Sequence, residues 1–240
     1  MAEKKNLPDH QTLAVVTQTK YDFDYRQIGR WLPHSADPSL IEDFLANISL
    51  YPQTLPQTER EMEFHQALIR EVIRSNQKEE AEVDSLIINP EVAKICRSDQ
   101  EGLLTILDGF LPWGMVKVFK ISENGPKVAT VLCFEEETNA KSKGKVAEIL
   151  LDFGLAQKQK SSLEEDDLTL IPSSSEEKVT LEIKCLSGYK IARKKELKVE
   201  ATGGTVGIVF DTRIRPFKFP DFSQEGRVRV AKWRKALGIV

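Results

Sequence analysis

Residues 201–220 read ATGGTVGIVFDTRIRPFKFP, and no other stretch gathers so many unusual residues. Gly203, Gly204 and Gly207 suggest a loop that cradles phosphate. Asp211, Arg213 and Arg215 suggest charged chemistry. A phosphate loop follows a strand and opens a helix, so that its amides and the helix dipole face the anion. Here the glycines precede a β-branched run, VGIVFD, which continues into TRIRPF, where Pro216 blocks a helix. That order belongs to the corner of a β-structure. Gly203-Gly204 is expected as a hairpin turn or bulge. Asp211 and Arg213 stand two apart on an extended segment and so share a face. A local ion pair, or a carboxylate anchoring a turn, is expected there ahead of catalysis.

Upstream of this corner the chain is rich in β-branched runs from about residue 115. MVKVFKI, KVATVLCF (127–134) and KVAEILLDFG (145–154) read as strands. In KVTLEIKC (178–185), Val179, Leu181, Ile183 and Cys185 alternate with polar residues, the mark of a half-buried strand. Ser187-Gly188 signals a turn, and YKIARKKELKVEA reads as the returning chain. Residues 157–178 are polar and are expected as an exposed excursion with little order. Downstream, Val230, Trp233 and Leu237 share one face of a terminal helix that Gly238 stops.

The first half reads differently. Residues 1–12 are polar, LAVVTQ (13–18) reads as a strand, and 21–33 shows no clear period. Asp37 and Pro38 open a helix with Leu40, Ile41, Phe44 and Leu45 as its apolar stripe. Thr58 and Glu61 form a capping box for a long helix. Its core face is Phe64, Leu68, Ile69, Val72 and Ile73, with Arg60, Glu63, Arg70 and Glu71 on the far side. SLIINP (85–90) is a short buried strand. EVAKIC and EGLLTILDGFLP are helices, the second stopped by Gly109 and Pro112. The fold class is thus α+β (mixed α/β): a loosely ordered segment (1–24), a mainly helical part (25–115) and a β-rich part closed by a helix (116–240).

At 240 residues the chain can bury a sizeable core, and 40% hydrophobic with 30% charged residues fits a globular protein. A net charge of -3 makes nucleic acid a poor partner. No run reaches the length of a membrane span, and MAEKKNLPDHQ lacks the apolar core of a secretory signal. Cys96, Cys133 and Cys185 form no CxxC pair and read as reduced thiols of a cytoplasmic protein. His10, His34 and His65 have no metal-ligand spacing, and His65, next to the apolar face of its helix, reads as a packed or solvated histidine. No GxSxG elbow, HExxH pair or Walker loop is present. Glutamates 135–137, LEEDD (163–167) and ARKKELK (192–198) read as solvated faces, and Trp31, Trp113 and Trp233 as core or interface anchors. No metal and no cofactor are expected.

GGTVGIVFDTRIRPFKFP followed by GRVRVAKWRKALG resembles the carboxyl-terminal signature of the glutamate mutase accessory (MutL-type) family, which reads GG-x-x-GLI-DARGRP-x-x-LP and then a short helix with Trp and ALG. RQIGRWLP, LANISLYPQTLPQTEREMEFHQALIREVIR and LLTILDGFLPWGM are similar to successive family segments in the same order. The resemblance covers most of 25–240, and YPQTLPQT and DTRIRP are its most specific blocks. It implies a truncated actin/Hsp70-like ATPase scaffold, with 25–115 the remnant of one lobe. Family members are longer and carry a D-x-GSTxTK-type phosphate loop, which nothing in residues 1–30 resembles. Their later GSGG-like adenosine loop falls at Ile88, Asn89, Pro90 and Glu91, where this chain has no glycine. The family also tends to carry an acidic residue where His65 stands. The departures fall where nucleotide contact is implied, and Pro and Glu there would crowd a nucleotide.

Two functions compete on this reading. The first is a non-catalytic scaffold or interaction subunit that has lost nucleotide binding. It would act in a homo-oligomer, or in a hetero-oligomer with a MutL-type family member, and leave membranes and nucleic acid alone. The second is an ATP-dependent accessory or reactivating factor for a coenzyme-B12 mutase, its missing lobe supplied by another chain. An independent enzyme using Asp211 and Arg213 is the weakest of the readings.

Overall fold

The computed structural model describes residues 22–76, 83–120, 125–137, 144–154, 157–215 and 217–239. The strand expected at 13–18 lies outside the described residues, as does all of the 1–24 segment but its last three positions.

Asp24 caps a five-residue helix, α1 (Tyr25–Gly29). Its carboxylate accepts from the amides of Arg26 (2.8 Å) and Gln27 (2.9 Å), and Gln27 Oε1 accepts the Asp24 amide at 2.9 Å. Five residues are too few to show a period, so pattern alone misses this helix. In α2 (Pro38–Leu50) the Asp37 side chain accepts from Ser39 N at 3.0 Å and Pro38 sits in the first turn, as expected. The capping box of α3 (Glu59–Asn76) is present: Glu61 N donates to Thr58 Oγ1 (3.2 Å) and Thr58 N to Glu61 Oε2 (3.3 Å). Arg70 and Glu71, expected on its outer side, are buried instead.

After β1 (Ser85–Ile88) and α4 (Pro90–Lys94) comes α5 (Asp99–Phe110), in which every residue from Glu101 to Phe110 is buried. Gly109 does not stop it. A Cβ there would lie 2.9 Å from Ile73 Cβ, so the glycine admits α3 at close range. The helix ends at Leu111, whose φ of 48° is left-handed, and Pro112 follows.

The remaining elements are β2 (Gly114–Lys120), β3 (Lys127–Glu136), β4 (Lys145–Asp152), β5 (Lys158–Glu164), β6 (Leu168–Ile171), β7 (Lys178–Cys185), β8 (Tyr189–Ile191), β9 (Glu196–Thr202), β10 (Gly207–Arg215) and α6 (Gln224–Ala236). They form two sheets. The first is mixed, in the order β1-β2-β3-β10-β6, with β8 added at the end of β3; the second is antiparallel, in the order β5-β4-β7-β9. In the first, β1 runs parallel to β2 and β3 parallel to β10. The stretch 157–178, expected to have little order, holds β5 and β6. Its polarity has a positional cause: among the described residues β5 pairs with β4 alone, at a sheet edge, and most of its side chains face water.

The layers follow from period-two alternation. From β3, Val131 and Cys133 join the core that faces the helices, while Leu132 and Phe134 join the core between the two sheets. The mixed sheet is thus the middle layer of three. Residues on both sides of position 115, from Ile28 and Trp31 to Trp233 and Leu237, share the helix-side core. The molecule is a mixed α+β protein. Among the described residues no helix is long and apolar enough to cross a membrane.

Candidate functional site

The glycines of the opening stretch form a corner between sheets. β9 belongs to the antiparallel sheet and β10 to the mixed one, so Gly203-Gly204 is the passage between layers and not the hairpin that its composition suggests. Close backbone packing dictates the residue type. A Cβ on Gly203 would stand 1.9 Å from Ser173 O, and one on Gly204 2.4 Å from Lys127 O. Gly207 holds φ +132° against Ile171 O. The amides of this loop are already bonded: Gly204 N donates to Ser173 O (3.1 Å), Thr205 N to Lys127 O (3.1 Å) and Val206 N to Val128 O (2.9 Å). None of the three is left to meet an anion.

The segment Ile88–Glu91 is a strand running into a short helix, the layout in which a nucleotide loop would sit. Asn89 instead caps α4 from within. Its Oδ1 accepts from Val92 N at 2.9 Å, and Pro90 contributes no N–H at all. Glu91 adds negative charge to the first turn.

Asp211 and Arg213 form the expected ion pair, and they do so in the core. Arg213 Nε and Nη2 each reach an Asp211 oxygen at 2.9 Å, and both residues are fully buried. The third arm, Nη1, donates to Asp108 Oδ1 on α5, whose Oδ2 accepts from Arg70 Nε at 2.8 Å. Burial opposes the charge on Arg213, but Asp211 and Asp108 more than offset it and hold the guanidinium above its ordinary pKa. Arg213 also lies 4.9 Å from the Trp233 ring centre and 5.4 Å from that of Phe217. Nearby, Glu71 Oε1 accepts from Trp31 Nε1 (2.5 Å) and Arg30 Nε (3.0 Å). A fourth buried carboxylate, Glu101, binds Arg97 and Gln66 and faces Arg234 at 3.6 Å. These charges link the sheet to α3, α5 and α6. Arg215 closes β10 opposite Glu135, but its side chain and Pro216 lie outside the described residues.

The other polar clusters are also engaged. A recess of about 360 Å³ above Arg213 is rimmed by Glu136, Glu165, Asp166 and Glu225. Asp166 pairs with Arg229 at 2.8 Å, and Asp167 with Lys232 at 3.3 Å, so the LEEDD tract ties β5–β6 to α6 instead of standing solvated. Burial raises the thiols of Cys96 and Cys185 to about 12, which keeps them protonated at neutral pH. Among the described residues no three His, Cys, Asp or Glu side chains are grouped to hold a metal ion.

One surface recess among the described residues is largely apolar. Between α2 and the start of α3 runs a groove of about 540 Å³, floored by Phe44, Ile48 and Phe64. His65 closes one wall. Its ring meets Phe44 edge-on at 4.9 Å, with Nδ1 2.9 Å from Glu61 O and Nε2 3.2 Å from Thr54 O, so it straps the 51–58 loop to α3. Leu40 and Tyr51 line the groove, and with Leu50 and Leu55, neighbours in sequence of its lining residues, they are four of the five large hydrophobic side chains exposed among the described residues. Leu50 is 72% exposed and Tyr51 67%. The helical period places Leu40 in a core stripe, but the structure turns it to solvent. The clue available in sequence is that 37–58 contains no lysine or arginine while keeping Leu50, Tyr51 and Leu55 around its prolines.

No protein family, curated protein or solved structure matches this chain.

Proposed function

We propose that the chain is a non-catalytic interaction subunit, a degenerate relative of the glutamate mutase accessory family on an actin/Hsp70-like scaffold. Its docking surface is the α2–α3 groove. The family part of this reading is supported by the blocks quoted above, YPQTLPQT and DTRIRP foremost. The loss of nucleotide binding is supported by the bonded amides at 204–206 and by the self-capped, proline-bearing junction at Asn89–Glu91. An ATP-dependent factor for a coenzyme-B12 mutase would need a phosphate loop from another chain and an opened Asn89 cap at the start of α4.

The observation that carries the interaction role is the exposed apolar cluster around the groove. An apolar patch left open on an otherwise well-buried fold marks a place where something docks. The rim selects the partner's charge. Its lining charges are Asp43 and Glu61 against Arg60, a small acidic excess. The occupant is a cationic amphipathic helix presented by a protein partner, its apolar side laid between α2 and α3.

Fluorescence anisotropy with two synthetic helices tests this, one Leu/Lys-patterned and one Leu/Glu-patterned. The cationic helix is expected to bind the whole protein, and Leu50→Glu with Tyr51→Glu is expected to abolish binding without changing the melting temperature. Equal binding of both helices, or binding that survives the double substitution, would overturn the assignment. A native mass of twice the chain that the same substitutions halve would replace the foreign partner with a second copy.

A further inference from the structure

The corner that joins the two sheets holds an amine in an unusual setting. Lys127 opens β3, and its Nζ donates to Thr202 O and to Thr202 Oγ1, both at 2.7 Å. Thr202 is the last residue of β9, where the chain leaves the antiparallel sheet, and its carbonyl also accepts from Thr130 Oγ1 at 2.6 Å. Lys127 therefore stitches one sheet to the other at the glycine corner. Both acceptors are neutral oxygens. Among the described residues no carboxylate pairs with this ammonium: the nearby acid, Asp99, is bonded to Lys120 (2.7 Å) and to Thr205 Oγ1 (2.6 Å).

A lysine with two neutral acceptors and, among the described residues, no counter-ion is suited to its uncharged form. The –NH₂ group has two hydrogens, which the two Thr202 oxygens take, and one lone pair, which is then directed away from them. Burial, with Lys117 as a neighbouring positive charge, brings its pKa down to about 8. The side chain is only half-buried, so a small reagent reaches it. Lys117 on β2 is exposed and places a cation beside the amine, where an anionic leaving group would be favoured.

We propose that Lys127 is an acylation site that takes its acyl group from a donor of the acyl phosphate class. The Nζ lone pair forms the new bond to the acyl carbon, the carbon–oxygen bond to phosphate breaks, and phosphate leaves with both bonding electrons. The surplus proton on nitrogen passes to solvent. The product amide keeps a single N–H, so one of the two bonds to Thr202 is lost and the stitch between the sheets is weakened.

Acetyl phosphate labelling of the native full-length chain at pH 8, followed by peptide mass spectrometry of initial rates, is the test. Lys127 is expected to acetylate about tenfold faster than the exposed Lys178 and Lys145: its neutral fraction at that pH is about a hundredfold larger, and the weaker nucleophilicity of a less basic amine takes back part of that gain. Lys117→Met is expected to cut the Lys127 rate severalfold, an effect that a purely structural role for either residue would not produce. In the urea-unfolded chain all three lysines should react alike. A native Lys127 rate no higher than that of Lys178, or one that Lys117→Met leaves unchanged, would overturn the proposal.

Discussion

Arg213 on β10 donates to Asp108 on α5 across 105 positions of sequence, and both side chains are buried. This contact clamps the middle sheet to the helical layer. Asp211 completes the grip on Arg213, and Arg70 completes the grip on Asp108.

Removing one member of a buried ion cluster leaves its partners charged and without compensation. Asp108→Ala is therefore expected to lower stability by about 3–5 kcal/mol in urea unfolding. Arg213→Met should cost a similar amount. The double variant should cost clearly less than the sum, because each single change already breaks the shared contact. Strict additivity would show that the two residues act independently.

The Gly203–Gly204 corner gives a second expectation. A methyl group at Gly204 would meet backbone atoms of Lys127 and Val128 within 2.6 Å, and backbone cannot rotate away. Gly204→Ala is expected to destabilise by about 3 kcal/mol through overpacking. A thermal melt of Gly204→Ala that overlays the native curve would contradict the corner as described.

Glu101 sets part of the acid limit. Burial opposes its charge, but the Arg97 side chain and amide, with Arg234, more than compensate and hold the carboxyl below its usual value of 4.5. A depressed carboxylate stabilises the fold fully above its unfolded pKa and loses that contribution as pH falls through the lower folded value. The stability gap between the native chain and Glu101→Gln is therefore expected to be constant from pH 7 down to about 5 and to close below 4.5. Urea midpoints taken across that range measure it; a gap that widens on acidification would reverse the sign.

How far the sequence revealed this arrangement depended on the range of the signal. Local chemistry was readable. Asp37-Pro38, Thr58 with Glu61 and the Val230–Trp233–Leu237 face all appear where pattern places them, because caps and periods are set within a few residues. The pairing of Asp211 with Arg213 was readable for the same reason. Its extension to Asp108 and Arg70 was not, since nothing near Arg70 distinguishes a core cation from a surface one until β10 packs on α5. The Gly203-Gly204 pair reads alike as a hairpin or as a passage between sheets, and only the pairing of β9 with β7 and of β10 with β3 decides it. The groove was hidden because Leu40 fits a helical stripe; which side of α2 is covered depends on α1 and α3.

Titration calorimetry with ATP and Mg²⁺ bears most directly on the idea that this fold keeps its backbone amides for itself. No saturable heat is expected for the native chain, since Gly204–Val206 and Asn89–Val92 bond internally. One nucleotide bound per chain at about micromolar affinity, weakened by substitution at Asn89 or Gly204, would contradict it.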